Sequence, residues 1–169
     1  SFAERAGMNA IVVDIKGDDG HIAYKSEIPL ATEIGAQWPG KMMRLDEVLA
    51  EAKKRGMYTI ARMVVFKDNV LALARPDLAV RDKRTNEVWD DCGNGSTYWA
   101  DPFRQEVIDY NVGIAEEAAR MGFDEIQFDY IRFPPACVSR VRFENAMYSI
   151  TPTQETRIAA IETFLAEAR

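Results

Sequence analysis

Three short apolar runs constrain this chain more than any other feature: Ala10-Ile11-Val12-Val13-Asp14-Ile15, Tyr58-Thr59-Ile60-Ala61-Arg62-Met63-Val64-Val65-Phe66 and Glu125-Ile126-Gln127-Phe128-Asp129-Tyr130-Ile131. They are rich in β-branched residues and nearly continuous rather than alternating. That is the pattern of strands buried on both faces of a parallel sheet covered by helices. Helical stretches lie between them. Leu45 to Arg55 sets Leu45, Val48, Leu49 and Ala52 on one stripe and stops at Gly56, a natural residue for a left-handed helix end. Phe103 to Met121 carries the stripe Val107, Ile108, Ile114, Ala115 and Ala118, with Asp101-Pro102 expected as cap and first-turn proline and Gly122 as terminator. A last helix is expected over Thr153 to Arg169.

Strand, helix, strand in series means right-handed crossovers and a parallel sheet. The expected class is α/β, a partial (β/α)8 TIM barrel of about three parallel βα units, with residues 1–169 as one fragment of it. A closed barrel needs about 250 residues. A small open sheet is the other geometry, but no Gly-rich phosphate loop follows any strand. The segments after the first two strands are long, Gly17 to Met43 and Lys67 to Ala100, and those before the strands are short. Ligands of β/α folds sit on the loops after the strands, so a site is expected there.

Charge narrows the partners. Twenty-seven acidic against 21 basic residues leave a net charge of −6, which disfavours nucleic acid and anionic membrane surfaces. No run of about 18 apolar residues offers a membrane span, and the opening Ser1-Phe2-Ala3-Glu4-Arg5 lacks the parts of a secretory signal. Cys92 and Cys137, far apart and without a neighbouring His, signal neither zinc nor a disulfide framework. His21, the single histidine, sits in the turn-like Asp18-Asp19-Gly20-His21, and Trp38 beside Pro39-Gly40 reads as loop packing. No cofactor or metal is expected. The missing initiator Met and an end in mid-helix read as a chain cut from something longer.

A charged residue inside a buried strand costs several kcal/mol unless it is paired or faces a polar site. Each strand has one or two: Asp14 and Lys16, Arg62, and Asp129 with Arg132. Their convergence on one mouth is what an active site of this architecture looks like, and a satisfied ion network at the barrel rim is the alternative.

These residues also carry a resemblance. Asn9 to Lys16, Ile60 to Asp68, Trp99-Ala100-Asp101-Pro102 and above all Gly122-Phe123-Asp124-Glu125-Ile126-Gln127-Phe128-Asp129-Tyr130-Ile131-Arg132-Phe133-Pro134 resemble a bacterial family of glycosyl hydrolase domains once classed as a domain of unknown function. The likeness covers residues 1–135 and fades after Pro134. That family is similar to α-amylase-like barrels whose fourth strand ends in a nucleophilic Asp. The resemblance implies that Asp129 holds that place, that the strands here are the second to fourth, that the acid/base lies on a later strand outside this chain, and that the setting is extracellular or the cell surface. It implies a glycoside hydrolase acting on O-glycosidic bonds of a poly- or oligosaccharide. The remainder of the barrel is expected from the parent chain.

Acetal cleavage needs one carboxylate to attack or stabilise an oxocarbenium-like centre and another to protonate the leaving oxygen. Asp129 suits the first task, and Asp14 and Asp68 are the in-chain substitutes for the second. Substrate contacts are expected from Asp14, Lys16, Arg62, Asp68, Gln127 and Arg132, and from Trp89 and Trp99 as flat apolar faces in the loop after the second strand. The alternative function is a catalytically inactive carbohydrate-binding or scaffold barrel.

Overall fold

The three apolar runs form one sheet. In the computed structural model, which describes residues 5–40, 42–134 and 143–169, strands β1 (Ala10–Lys16) and β2 (Tyr58–Val64) pair in parallel. Glu125–Asp129, β4 in chain order, then pairs in parallel with β2. Sheet neighbours therefore follow chain order with helices between, as in the wall of a β/α barrel. A doubly wound sheet would reverse direction across its first strand.

The helices are α1 (Pro29–Glu33), α2 (Leu45–Lys54), α3 (Asn69–Ala74), α4 (Gln105–Met121) and α5 (Gln154–Glu167). Gly56 and Gly122 take positive φ, +64° and +99°, at the ends of α2 and α4, a conformation that Cβ-bearing residues disfavour. One helix start departs from expectation. Helix α4 begins at Gln105 after Arg104, and Asp101 does not cap it: its carboxylate accepts the Phe103 and Ser149 N–H groups, tying the segment before α4 to that before α5. Helix α5 is capped by a reciprocal pair, Thr153 and Thr156. The short helices α1 and α3 and a two-stranded antiparallel pair, β3 (Arg81–Asp82) with β5 (Ala146–Met147), lie inside segments read from sequence as loop.

The sheet is covered on one face. Val13, Ile15, Ala61 and Met63 are buried against the helix layer, where Leu45, Val107, Ile114, Ala118 and Phe164 meet them in one core. Each such large side chain contributes about 1.5–3 kcal/mol by leaving water. The other face is open: Val12 is 55% and Tyr58 45% exposed, and Asp14, Glu125 and Gln127 share that exposure. Strands buried on both faces, as the continuous apolar runs imply, are therefore not what the described residues show. The runs are apolar throughout, but burial alternates along them.

The loop after β1 is pinned to α4 by Glu117, whose carboxylate accepts the Tyr24 and Ser26 hydroxyls and the Glu27 N–H, each at 2.7 Å. Three donors satisfy this buried carboxylate. They fasten the loop to the helix layer as it runs back along β1.

Candidate active site

The open face ends at a cluster of charge. Asp14 and Arg62 are direct cross-strand neighbours, and Arg62 Nη1 donates to Asp14 Oδ1 at 2.9 Å. Asp129 lies two residues beyond Gln127, the partner of Arg62 on β4. Arg62 reaches it diagonally, with Nε at 3.1 Å and Nη2 at 2.5 Å from Oδ2. The other oxygen, Oδ1, accepts the Tyr130 N–H at 2.7 Å. Tyr130 is held at φ +51°, a left-handed conformation that a bulky residue adopts only where its surroundings impose it, often at functional sites. That turn ends the strand and brings the backbone N–H onto the carboxylate.

Asp18, from the loop after β1, closes the cluster: its carboxylate is 3.6 Å from Arg62 Nη2 and 3.3 Å from Lys67 Nζ. Lys67 also sits over the Tyr130 ring at 5.1 Å. Neither Asp18 nor Lys67 was singled out for the site by sequence, because a turn acid and a residue past a strand end carry no periodic signal. Their place on loops that follow strands was the available clue.

The Asp129 side chain is 37% exposed. Burial alone would raise its carboxyl, but the Arg62 hydrogen bonds, the Tyr130 N–H and the nearby charges of Arg62 and Arg132 outweigh that and hold it below the ordinary aspartate range. The hydrogen bonds to Asp14 and to Asp129 push the Arg62 guanidinium further upward. Asp129 is thus ionised at neutral pH, oriented at both oxygens and open to solvent.

The remaining residues expected at the site divide. Gln127 stands on the open face below Asp129, exposed rather than buried in the strand. Arg132 stacks over the Tyr130 and Trp99 rings, at 4.9 and 5.4 Å from their centroids. Lys16 turns away. A register shift between Asp14 and Lys16 breaks the alternation that would put both on one face. Its ammonium is instead buried behind the sheet, 2.7 Å from Asp68 Oδ2, 3.0 Å from Asn111 Oδ1, and bonded to the Val64 and Val65 carbonyls. Asp68 caps α3 through the Leu71 N–H and is fully buried, and burial pushes its carboxyl upward against the Lys16 charge. Trp89 and Trp99 are buried too, packing the loop after β2 onto its own scaffold. Lys16, Asp68, Trp89 and Trp99 therefore present nothing to a ligand at this surface. Trp38, expected to pack its loop, is 46% exposed.

Among the described residues no group of three or more His, Cys, Asp or Glu side chains is placed to hold a metal, and no helix is long and apolar enough to cross a membrane. Cys137 and Ser139 to Val141 lie outside the described residues.

The family model described as "Putative glycosyl hydrolase domain" matches residues 1–169. The chain belongs to that family. The match runs past Pro134, where the strand motifs give out, and includes the segment through α5. The domain is similar to a hypothetical protein from Ruminiclostridium thermocellum, at 39% identity and a TM-score of 0.84, over 99% of this chain and 80% of that one. It is also similar to an α-xylosidase from a soil metagenome, solved with xylose (TM-score 0.60, 16% identity, 99% of this chain), and to the α-galactosidase of Thermus thermophilus (TM-score 0.59, 19% identity, 98% of this chain). The chain spans 24% and 31% of those two chains. At such identities the likeness shows the fold: mixed α/β, with three parallel strands laid out like a stretch of a glycosidase barrel. No curated protein sequence matches the chain.

Proposed function

We propose that the domain is the nucleophile-bearing part of a glycoside hydrolase that cleaves O-glycosidic bonds of a poly- or oligosaccharide, with Asp129 as nucleophile. The observation that carries this reading is Asp129 itself: a carboxylate at the C-terminal end of a parallel strand, partly exposed, ionised and aimed by Arg62 and the Tyr130 N–H. Attack at an anomeric carbon needs an ionised oxygen held in one direction, and its later departure from the glycosyl-enzyme is eased by the charge that lowers its basicity. Arg62 supplies both effects. Asp14 at Nη1 and Asp18 at 3.6 Å from Nη2 share the charge of the same guanidinium and keep it in place.

The proton donor must hold its proton near neutral pH. Asp129 does not, and Asp68, the carboxyl pushed upward, is sealed against Lys16. We assign the acid/base to residues outside 1–169, and with it the strands that would complete a barrel in which the three here are second to fourth. The open face of Val12, Ile60, Arg62 and Gln127 is then the inward wall of that barrel. Retention of configuration follows if the second carboxyl lies about 5–5.5 Å from Asp129.

The test is hydrolysis of a panel of polysaccharides and aryl glycosides by the full-length protein beside its Asp129→Asn variant. Turnover lower by several orders of magnitude in the variant is expected. Sugar binding intact in both proteins with turnover in neither would replace this reading with an inactive carbohydrate-binding barrel.

A further inference from the structure

The buried ammonium of Lys16 takes no part in the chemistry assigned to Asp129, yet it is bonded to the strand beside it. Nζ donates to the Val64 carbonyl at 3.0 Å and to the Val65 carbonyl at 3.2 Å, where β2 ends. The Val64 oxygen shares its peptide with the Val65 N–H, and a trans amide points its N–H opposite to its C=O. That N–H donates to the Asp129 carbonyl at 2.9 Å. The Asp129 oxygen in turn shares its peptide with the Tyr130 N–H, which meets Asp129 Oδ1 at 2.7 Å. Two amides in line thus join the Lys16 ammonium to the Asp129 carboxylate. The next peptides run alongside: the Val65 oxygen faces Lys16, and the Phe66 N–H of the same unit donates to the Tyr130 carbonyl at 3.4 Å.

The reason for a side chain at this place lies in β1. Its ladder with β2 stops at the pair Lys16 and Met63, because the chain then turns: the Gly17 N–H goes to the His21 carbonyl, and the returning Ala23 N–H goes to Ile15. The carbonyls one and two residues beyond Met63 still need donors, since a buried carbonyl left unpaired is costly. The ammonium takes the place of the missing strand. A charged donor bonds more strongly than a neutral one, and it polarises the amide it holds, which strengthens the N–H on the far side. Its own position is fixed. Asp68 balances its charge at 2.7 Å, and Asn111, oriented by donating Nδ2 to the Val107 carbonyl, turns Oδ1 to it at 3.0 Å. Lys16, Asp68 and Asn111 are fully buried, so water does not compete for these bonds.

We propose that Lys16 is a positioning residue for Asp129, acting through a relay of amide hydrogen bonds that runs along the Val64–Val65 and Asp129–Tyr130 peptides to the carboxylate. The inference rests on the glycosidase reading for the reaction it serves. Tyr130 sits at φ +51°, which a bulky residue keeps only under constraint. The Val65 N–H holds the oxygen end of the peptide whose N–H end aims Asp129, and Lys16 holds the peptide that supplies that N–H. Arg62 grips the other carboxylate oxygen from the open face. Asp129 is therefore aimed from both sides of the sheet, by a guanidinium it touches and by an ammonium it does not.

The experiment uses the full-length protein labelled with 13C at aspartate carboxyl groups and 15N at backbone amides, the Asp129 carboxyl signal being identified by its loss in Asp129→Asn. The variant is Lys16→Met with Asp68→Asn. It removes one charge of each sign, which leaves the long-range field at Asp129 nearly unchanged, and Asn keeps an oxygen for the Leu71 N–H. We expect the Val65 and Tyr130 amide hydrogens to exchange about tenfold faster, the Asp129 titration midpoint to rise as the Tyr130 N–H loosens, and kcat on an aryl glycoside to fall about tenfold with KM little changed. Leu45→Ala, at a buried position of α2, controls for lost stability: it should lower the melting temperature and leave the Asp129 midpoint in place. Signals unmoved in the double variant, or moved equally by Leu45→Ala, overturn the positioning role. Should the double variant not fold, the wild type decides: Val65 and Tyr130 amides among the slowest to exchange support the relay, and exchange at either as fast as in an exposed loop overturns it. Moved signals with turnover indifferent to Asp129→Asn leave the relay standing and remove the glycosidase reading alone.

Discussion

A half-buried carboxylate and a buried ion pair decide most at the scale of single residues, and they behave differently. Asp129 is lowered by Arg62 and by the Tyr130 N–H against the upward pull of burial. Its ionised form therefore persists below the ordinary aspartate value of about 3.9, and the acidic limb of kcat/KM that it sets lies below that pH. Removing the guanidinium leaves burial to dominate, so Arg62→Gln should move the limb upward; a pH profile of the full-length protein reads this, and an unmoved limb would detach Arg62 from the nucleophile. Lys16 and Asp68 are sealed from solvent. Deleting one partner strands the other, and Asp68→Ala should cost about 3–5 kcal/mol in urea unfolding, part of it through lost capping of α3. Gly20→Ala attacks the same place, since φ is +97° there and a Cβ would overlap the Asp68 carboxylate.

Elements are held by ends and by rings. Thr153 accepts the Thr156 N–H at 3.2 Å and Thr156 answers the Thr153 N–H at 2.8 Å; Thr153→Ala should cost about 1 kcal/mol. The deeper attachment of α5 is Phe164, buried between Phe66 at 5.6 Å and Phe128 at 5.0 Å, both edge-on. Those two rings belong to the segment after β2 and to β4, so one side chain joins α5 to both. Phe164→Ala should cost about 3–5 kcal/mol, read as the shift in thermal midpoint. A loss below 1 kcal/mol would mean that α5 docks by other means.

For the whole molecule the open sheet face dominates. Val12 and Tyr58 place apolar surface in water beside Ile60, and β1 and β4 each have one unpaired edge within the three-stranded sheet. Residues 1–169 expressed alone should therefore associate with rising concentration in sedimentation velocity, and Val12→Lys with Tyr58→Lys should reduce that association. A monomer at every concentration would contradict the barrel-wall reading of this face.

The sequence by itself determined the strands, α2, α4 and α5, their chain-order parallel arrangement and the charged strand ends, because apolar runs, helical stripes and terminal glycines are local and Gly56 and Gly122 mark them without ambiguity. It singled out Asp129, Arg62 and Asp14, since a charge in an apolar run has few places to go. Tertiary structure decided the rest. Alternation puts Lys16 on the face of Asp14, and only the register shift against β2 sends it to Asp68 behind the sheet. Sequence reads Trp38 as packing its loop and Trp99 as a face for sugar, and packing reverses the two, burying Trp99 and leaving Trp38 46% exposed. Which face of the sheet stays open depends on what lies across it, a relation between distant segments that no window of sequence contains.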